Sequence, residues 1–272
     1  MSGPRHPPDP SLPTGRSADV SGVTFFDEAI GRLERLRREE AEGIRRAAEL
    51  CADSIIGDSL VFVFGTGHGA IPALEAFPRS GSVVGFRPMV ELPITTLYHV
   101  WGDMGVPQYR FLHRQEGYGQ AIVEANRLRD GDSVVVFSHS GINPVGIDIA
   151  VAAREMGLPL VGVTSREHSS QVESRHSSAK RLYELADVVI DTGAPLGDAV
   201  VRIDGLEEPV SAVSTVLVVA VMQAIIAETA RVMVERGTAP HVEMNLNLPR
   251  ETSVREHNDH GYQELWRRLA NR

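Results

Sequence analysis

Apolar residues along this chain follow two different rhythms. From Phe26 through Ile30, Leu33, Leu36, Ile44, Ala47, Leu50 and Ile55 they recur at roughly helical spacing. Thr24 with Asp27 in the following turn reads as a helix start, and the alternating charges along Arg32–Arg46 read as its solvated face. Five short apolar runs come next: Leu60–Phe64, Ser82–Phe86, Ser133–Phe137, Pro159–Val163 and Asp187–Ile190. Val, Ile and Phe dominate them and most lack polar alternation, the pattern of strands buried on both faces. Helical segments are predicted between them at about Ala70–Phe77, Gln115–Leu128, Pro144–Met156 and Ser178–Leu185. Such alternation predicts the α/β class: a three-layer α-β-α sandwich on a five-stranded parallel sheet, with an N-terminal helical extension.

The longest apolar helical pattern, Val210 to Val234, is interrupted by Ser211, Ser214, Thr215, Gln223 and Glu228, and reads as a core helix rather than a membrane span. Residues 1–22, rich in proline and small polar residues and lacking an apolar stretch, read as a disordered lead-in and not a secretory signal. Residues 23–272 then form one domain.

The formal net charge of −9 argues against a nucleic-acid partner or an anionic membrane surface. One cysteine, Cys51, precludes an internal disulfide and suits a reducing cytoplasm; its apolar neighbours make it core filler. A loop can still bind a phosphate in an acidic protein, and in a parallel sheet such loops follow the strands.

After the first run comes Gly65-Thr66-Gly67-His68-Gly69-Ala70. It fits the loose dinucleotide pattern G-x-G-x-x-A. A dinucleotide fold wants an acid after the next strand, whereas Arg87 and Pro88 stand there, which weakens a nicotinamide cofactor; none is expected. After the third run comes Ser138-His139-Ser140-Gly141-Ile142-Asn143, with Pro144 suited to a first helical turn. Hydroxyls, an amide and backbone N–H groups at a helix start make an anion cradle. A plain capped turn would use the same residue types. The glycine-rich loop on a neighbouring strand favours the cradle.

These paired loops, GTGHG and FSHSGINP, resemble the SIS (sugar isomerase) superfamily. The stretch Thr164–Ala199, with SRHSS, Lys180 and GDA, is similar to its phosphoheptose-isomerase-like branch and, within that, to actinobacterial N-acetylglucosamine-6-phosphate dehydratases. The resemblance implies a SIS fold from about Phe25 to the C-terminus and a phosphorylated sugar as substrate. It also implies a homodimer with the active site near the interface. It places phosphate contacts at Ser138, Ser140 and Asn143, with Thr66 and Gly67 beside them, and a catalytic carboxylate at Glu75. Gly69, His139, Ser165 and Arg175 would line the pocket; Gly69 stands where branch members often have serine.

Proton abstraction at C2 of a phosphosugar suits a carboxylate, and ring opening suits a histidine. His68, His176 and His257 are the candidates, since the late helix SAVSTVLVVAVMQAIIAE carries none. With a C2 hydroxyl the product of proton removal is a ketose. With a C2 acetamide the outlet is loss of the C3 hydroxyl. The missing histidine and the branch resemblance favour dehydration over isomerisation. A sugar-phosphate sensor is the non-enzymatic alternative, although no helix-turn-helix precedes residue 57. Glu256–His260 has metal-ligand residue types without a matching partner cluster, so no metal is expected.

Overall fold

Short apolar strands cannot satisfy their backbone groups alone. In the computed structural model of this chain, five of them solve the problem by pairing into one parallel sheet. The structure describes residues 21–95, 105–249, 251–270 and 272. Helices α1 (Ser21–Glu39) and α2 (Ala41–Ile56) lead into strand β1 (Val61–Gly65). A 3₁₀ turn (Gly67–Ala70) and α3 (Ile71–Leu74) follow, then β2 (Phe86–Met89), α4 (Leu92–Thr95), α5 (Val106–Leu112) and α6 (Tyr118–Asn126). The centre of the chain is β3 (Ser133–Phe137), α7 (Pro144–Glu155), β4 (Leu160–Thr164), α8 (Arg166–Ser169), α9 (Leu182–Leu185) and β5 (Val188–Asp191). A hairpin of β6 (Ala199–Val201) and β7 (Val210–Ala212) precedes α10 (Ser214–Glu235) and α11 (Glu251–Ala270).

The sheet order is β2-β1-β3-β4-β5, with every neighbouring pair parallel. The chain leaves β1 toward β2 on one side, and leaves β3 toward β4 on the other. Loops diverge at the carboxyl ends of β1 and β3, which opens the crevice where ligands bind in such sheets. Alternate strand residues point to opposite faces, and both faces are covered. Val61, Val63, Val135 and Val163 pack with α2 and α10. Phe62, Phe64, Val134 and Val136 pack with Ile122 of α6 and with Val145 and Ile147 of α7. Cys51 is fully buried in the first cluster, and burial pushes its thiol up to about 12. Helix α10 is long and apolar enough to cross a membrane, yet Leu217, Val221, Met222, Ile225 and Ile226 are buried in the core.

At the amino end of the sheet, the buried Asp132 carboxylate accepts from the backbone N–H groups of Leu60 and Arg129 at 2.9 and 2.8 Å. It also takes a two-pronged bond from Arg272 at 2.7 and 2.8 Å. This ties the starts of β1 and β3 together and leaves their far ends to the loops.

Several expected boundaries move. Ser21 and Gly22, expected in the lead-in, belong to α1; the rest of the expected lead-in, residues 1–20, lies outside the described residues. The expected single N-terminal helix is two, interrupted at Glu40, whose backbone leaves the helical region (φ −105°, ψ 6°). The second strand lies later than expected. Val83 makes an isolated antiparallel bridge to Val242, Val84 and Gly85 turn (Gly85 at φ 121°), and Arg87 and Pro88 are inside β2. Proline is tolerated there because β2 is an edge strand. The helices expected at Ala70–Phe77 and Ser178–Leu185 shrink to single turns: a 3₁₀ turn takes up Ala70 and α3 ends at Leu74, while the loop before α9 takes up residues 178–181.

Candidate active site

Close approach of backbone to backbone shapes the first loop. A Cβ on Gly65 would lie 1.8 Å from the carbonyl oxygen of Gly69, and one on Gly69 would lie 3.1 Å from that of Phe137. The loop therefore folds back over β1 against the end of β3, and Thr66, His68 and Gly69 line a cavity of about 740 Å³. Gly67 is buried beneath them, away from the cavity wall. A serine at position 69 would press on β3, which is why the hydroxyl expected of the branch is not simply accommodated.

The second loop supplies the facing wall with Ser138, His139, Ser140, Ile142 and Asn143. Ser138 Oγ accepts from Gly141 N–H at 3.1 Å, which leaves its own O–H to donate. The loop turns at Gly141 (φ 63°), whose carbonyl accepts from Leu182 N–H at 2.9 Å. Asn143 stands at the cap of α7 in extended geometry but makes no side-chain cap bond. Its Oδ1 instead accepts from Arg175 Nη1 at 3.0 Å, and this brings a guanidinium to the start of α7. Hydroxyls, a helix N-terminus and an arginine thus converge on one wall, an arrangement suited to a phosphate.

A hydrogen-bonded pair of imidazoles faces the same space. His168 Nδ1 lies 2.8 Å from His139 Nε2, with the rings edge to face at 4.5 Å. Burial lowers both from the usual histidine range, His168 to about 4, and the neighbouring His139 and Arg175 push His168 further while Asp198 opposes them. Sequence reasoning named His139 and missed His168. Ser165, expected in the pocket, is fully buried and acts from below: its Oγ accepts from His168 N–H at 3.1 Å and donates to the Ala194 carbonyl at 2.5 Å. It starts α8 and so places His168.

Other expected residues stand elsewhere. Glu75 ends α3, and its carboxylate accepts from Gln223 at 2.8 Å and pairs with Arg79 at 3.2 Å; it is not among the cavity-lining residues. Gln223 does belong to α10, whose Ser214, Thr215 and Val218 face the cavity. His176 does not line it either. Its Nε2 meets Asp148 at 3.1 Å and ties the SRHSS loop to α7, while its Nδ1 meets Ser178 at 2.7 Å within the loop itself. His257 lies at the amino end of the sheet, opposite the cavity. There it bonds the Val242 carbonyl at 2.8 Å and stacks on His241 in a separate pocket with Arg268. Helix α11, which the sequence pattern did not reveal, carries it there.

Asp198 and Tyr109 also reach the cavity. Asp198, in the GDA stretch, holds a left-handed backbone (φ 73°) and accepts from Val213 N–H, Ser214 N–H and the Ser214 hydroxyl at 3.1, 2.7 and 2.5 Å. It caps the start of α10 and sets that helix against the cavity. An acid in a quoted motif was its only sequence signal; Tyr109 had none. Among the described residues, no group of three or more His, Cys, Asp or Glu is placed to hold a metal ion.

A family model described as a SIS domain matches residues 24–165. A UPF0309 protein of Listeria monocytogenes is 34% identical over 227 residues, covering 84% of this chain and 91% of its own. A UPF0309 protein of Streptomyces coelicolor is 35% identical over 221 residues, 79% of this chain and 84% of its own. A phosphoheptose isomerase structure from Neisseria gonorrhoeae superposes with a TM-score of 0.51 at 17% identity, covering 76% of this chain and 96% of that one. At that identity the likeness is one of fold.

Proposed function

The chain belongs to the SIS-domain family, and on that footing we propose that it is a phosphosugar-processing enzyme that removes the C2 proton of an amino-sugar 6-phosphate. The preferred substrate in this reading is N-acetylglucosamine 6-phosphate, and the reaction is loss of water across C2 and C3. The observation that carries it is the wall made by Ser138, Ser140, Asn143 and Arg175 at the start of α7, facing a sugar-sized cavity.

The phosphate binds at that wall and fixes the sugar's far end, so the carbon chain runs across the cavity toward the first loop and α10. His68, in the first loop, assists ring opening. Glu75 then leaves Gln223 and takes the C2 proton; the electron pair of the C2–H bond moves toward the C1 carbonyl. As the pair returns to form the C2–C3 double bond, the C3–O bond breaks. The departing hydroxide takes the proton from Glu75 and leaves as water, so the enzyme ends in the state in which it began. An acetamide at C2 makes this outlet natural, because no hydroxyl is present there to become a ketone.

The absence of histidine along α10 supports elimination over isomerisation. An isomerase would share the phosphate wall and the C2 base and differ only in returning the proton to C1. A cytoplasmic homodimer belongs to the same reading.

Proton NMR of N-acetylglucosamine 6-phosphate with the protein in deuterated water is the test. Loss of the C2 proton with a new vinylic signal supports dehydration. Exchange of that proton without a vinylic product, or no change at all, overturns it in favour of isomerisation or of a sensor.

A further inference from the structure

The imidazole pair in the cavity has a proton inventory that the hydrogen bonds decide. Only one of His168 Nδ1 and His139 Nε2 can hold the proton between them, 2.8 Å apart. Gly197 N–H also points at His168 Nδ1, at 3.5 Å, so that nitrogen accepts. His139 Nδ1 is buried and has no hydrogen-bond partner among the described residues. If it carried a proton, a buried donor would go unpaired, and orphaned donors are rarer than orphaned acceptors. Both facts put the shared proton on His139 Nε2. A neutral His168 then bears its own proton on Nε2, the ring nitrogen left to face the cavity that His168 lines.

We infer that His139 and His168 form an uncharged pair in which His139 orients His168, and that His168 donates Nε2–H to the sugar oxygen on which negative charge builds. In the elimination proposed above, on which this assignment of substrate contact rests, that oxygen is the C1 carbonyl oxygen. It gains charge as the C2 proton leaves and loses it as the C3–O bond breaks. The imidazole keeps its proton throughout. A neutral donor suits the task, since it stabilises the enolate without trapping it by full proton transfer. His168 is the catalytic residue of the pair and His139 a positioning residue. The charged and titratable groups that reach His168 are His139 from the serine loop, Arg175 from the SRHSS loop and Asp198, which precedes β6 and caps α10. Burial and the first two outweigh the last, so the ring stays neutral through the range where exposed histidines take up protons.

Two measurements test this. Long-range ¹H–¹⁵N spectra of the imidazoles in the full-length protein, assigned with His139→Gln and His168→Gln, should show both rings as Nε2–H tautomers, with His168 staying neutral from pH 7.5 down to 5. An Nδ1 proton on His168, or a midpoint near that of a free histidine, overturns the pair. With N-acetylglucosamine 6-phosphate as substrate, His168→Ala should lower kcat about 100-fold while KM and the affinity for inorganic phosphate stay within threefold. His168→Gln, which returns an N–H donor, should recover part of the loss; an unchanged kcat in His168→Ala refutes the catalytic role. If the wild-type protein does not turn this sugar over, the dehydratase reading falls, and the pair is then judged by the spectra alone.

Discussion

Replacing Gly141 with alanine isolates what the serine loop demands of its backbone. Gly141 has φ 63°, a left-handed value that disfavours alanine by roughly 1–2 kcal/mol. Its Cβ would also meet Thr164 Oγ1 and Ser169 Oγ, each at 2.9 Å. Neither oxygen can yield easily. The first donates to the His139 carbonyl at 3.1 Å, and Ser169 is fully buried. Crowding of that kind adds about 1–3 kcal/mol. The variant should therefore lose about 2–5 kcal/mol in urea unfolding, while Tm falls by roughly 2–4 °C for each kcal/mol. Two further variants separate the contributions. Gly81→Ala carries the left-handed cost (φ 87°) with nothing within 4 Å of its Cβ, and should lose only about 1 kcal/mol. Gly146→Ala, inside α7 with its nearest neighbour at 3.9 Å, should gain about 0.5–1 kcal/mol from helix propensity. Since the loop holds the phosphate in the proposed function, titration with inorganic phosphate should show weaker binding only for Gly141→Ala. Equal urea midpoints for Gly141→Ala and Gly81→Ala, with phosphate affinity intact, would refute the reasoning that packing shapes this loop.

Ser140→Ala should weaken phosphate binding by roughly ten- to a hundredfold, as expected for one hydrogen bond to a charged group, with kcat little changed; isothermal titration and steady-state kinetics check this. Glu75→Gln should abolish turnover while inorganic phosphate still binds, and an unchanged rate would remove Glu75 from the mechanism. Arg272→Ala leaves the buried Asp132, among the described residues, with two backbone donors, and should cost about 3–5 kcal/mol in urea unfolding at neutral pH. The pH dependence of stability follows from His168, whose folded value of about 4 lies below the ordinary 6.5. Between those values the unfolded chain binds more protons, so stability declines as pH falls through that window and is level above it. His168→Gln should decline less steeply from pH 7 to 5, and parallel wild-type and variant curves in urea unfolding would count against the assignment.

Much of the fold was legible because strands buried on both faces must be apolar throughout. Four of the five runs became strands of one parallel sheet, Ser133–Phe137 without a shift of boundary, while the second gave only Phe86 to β2. The element that strayed was β2, whose arginine and proline are permitted only because an edge strand has one unpaired side. Helix α11 was hidden because its polar sequence lacks an apolar stripe broad enough to announce it; Val254 and Leu265 are the buried apolar anchors it offers the core.

The paired loops of the site were legible for a related reason. A backbone that must approach another backbone or turn left-handed needs glycine, and an anion cradle needs short hydroxyls at a helix start, so GTGHG and SHSGIN carry their geometry as local composition. What each neighbouring side chain meets is not local. His168 reaches His139 across 29 positions, His176 is taken up by Asp148 across 28, and Glu75 by Gln223 across 148. The sequence determined most of the strands, their order in the chain and the two loops that line the cavity. Only the tertiary structure decided which histidines face the cavity, because a side chain's partner depends on helices packed beside it from distant parts of the chain.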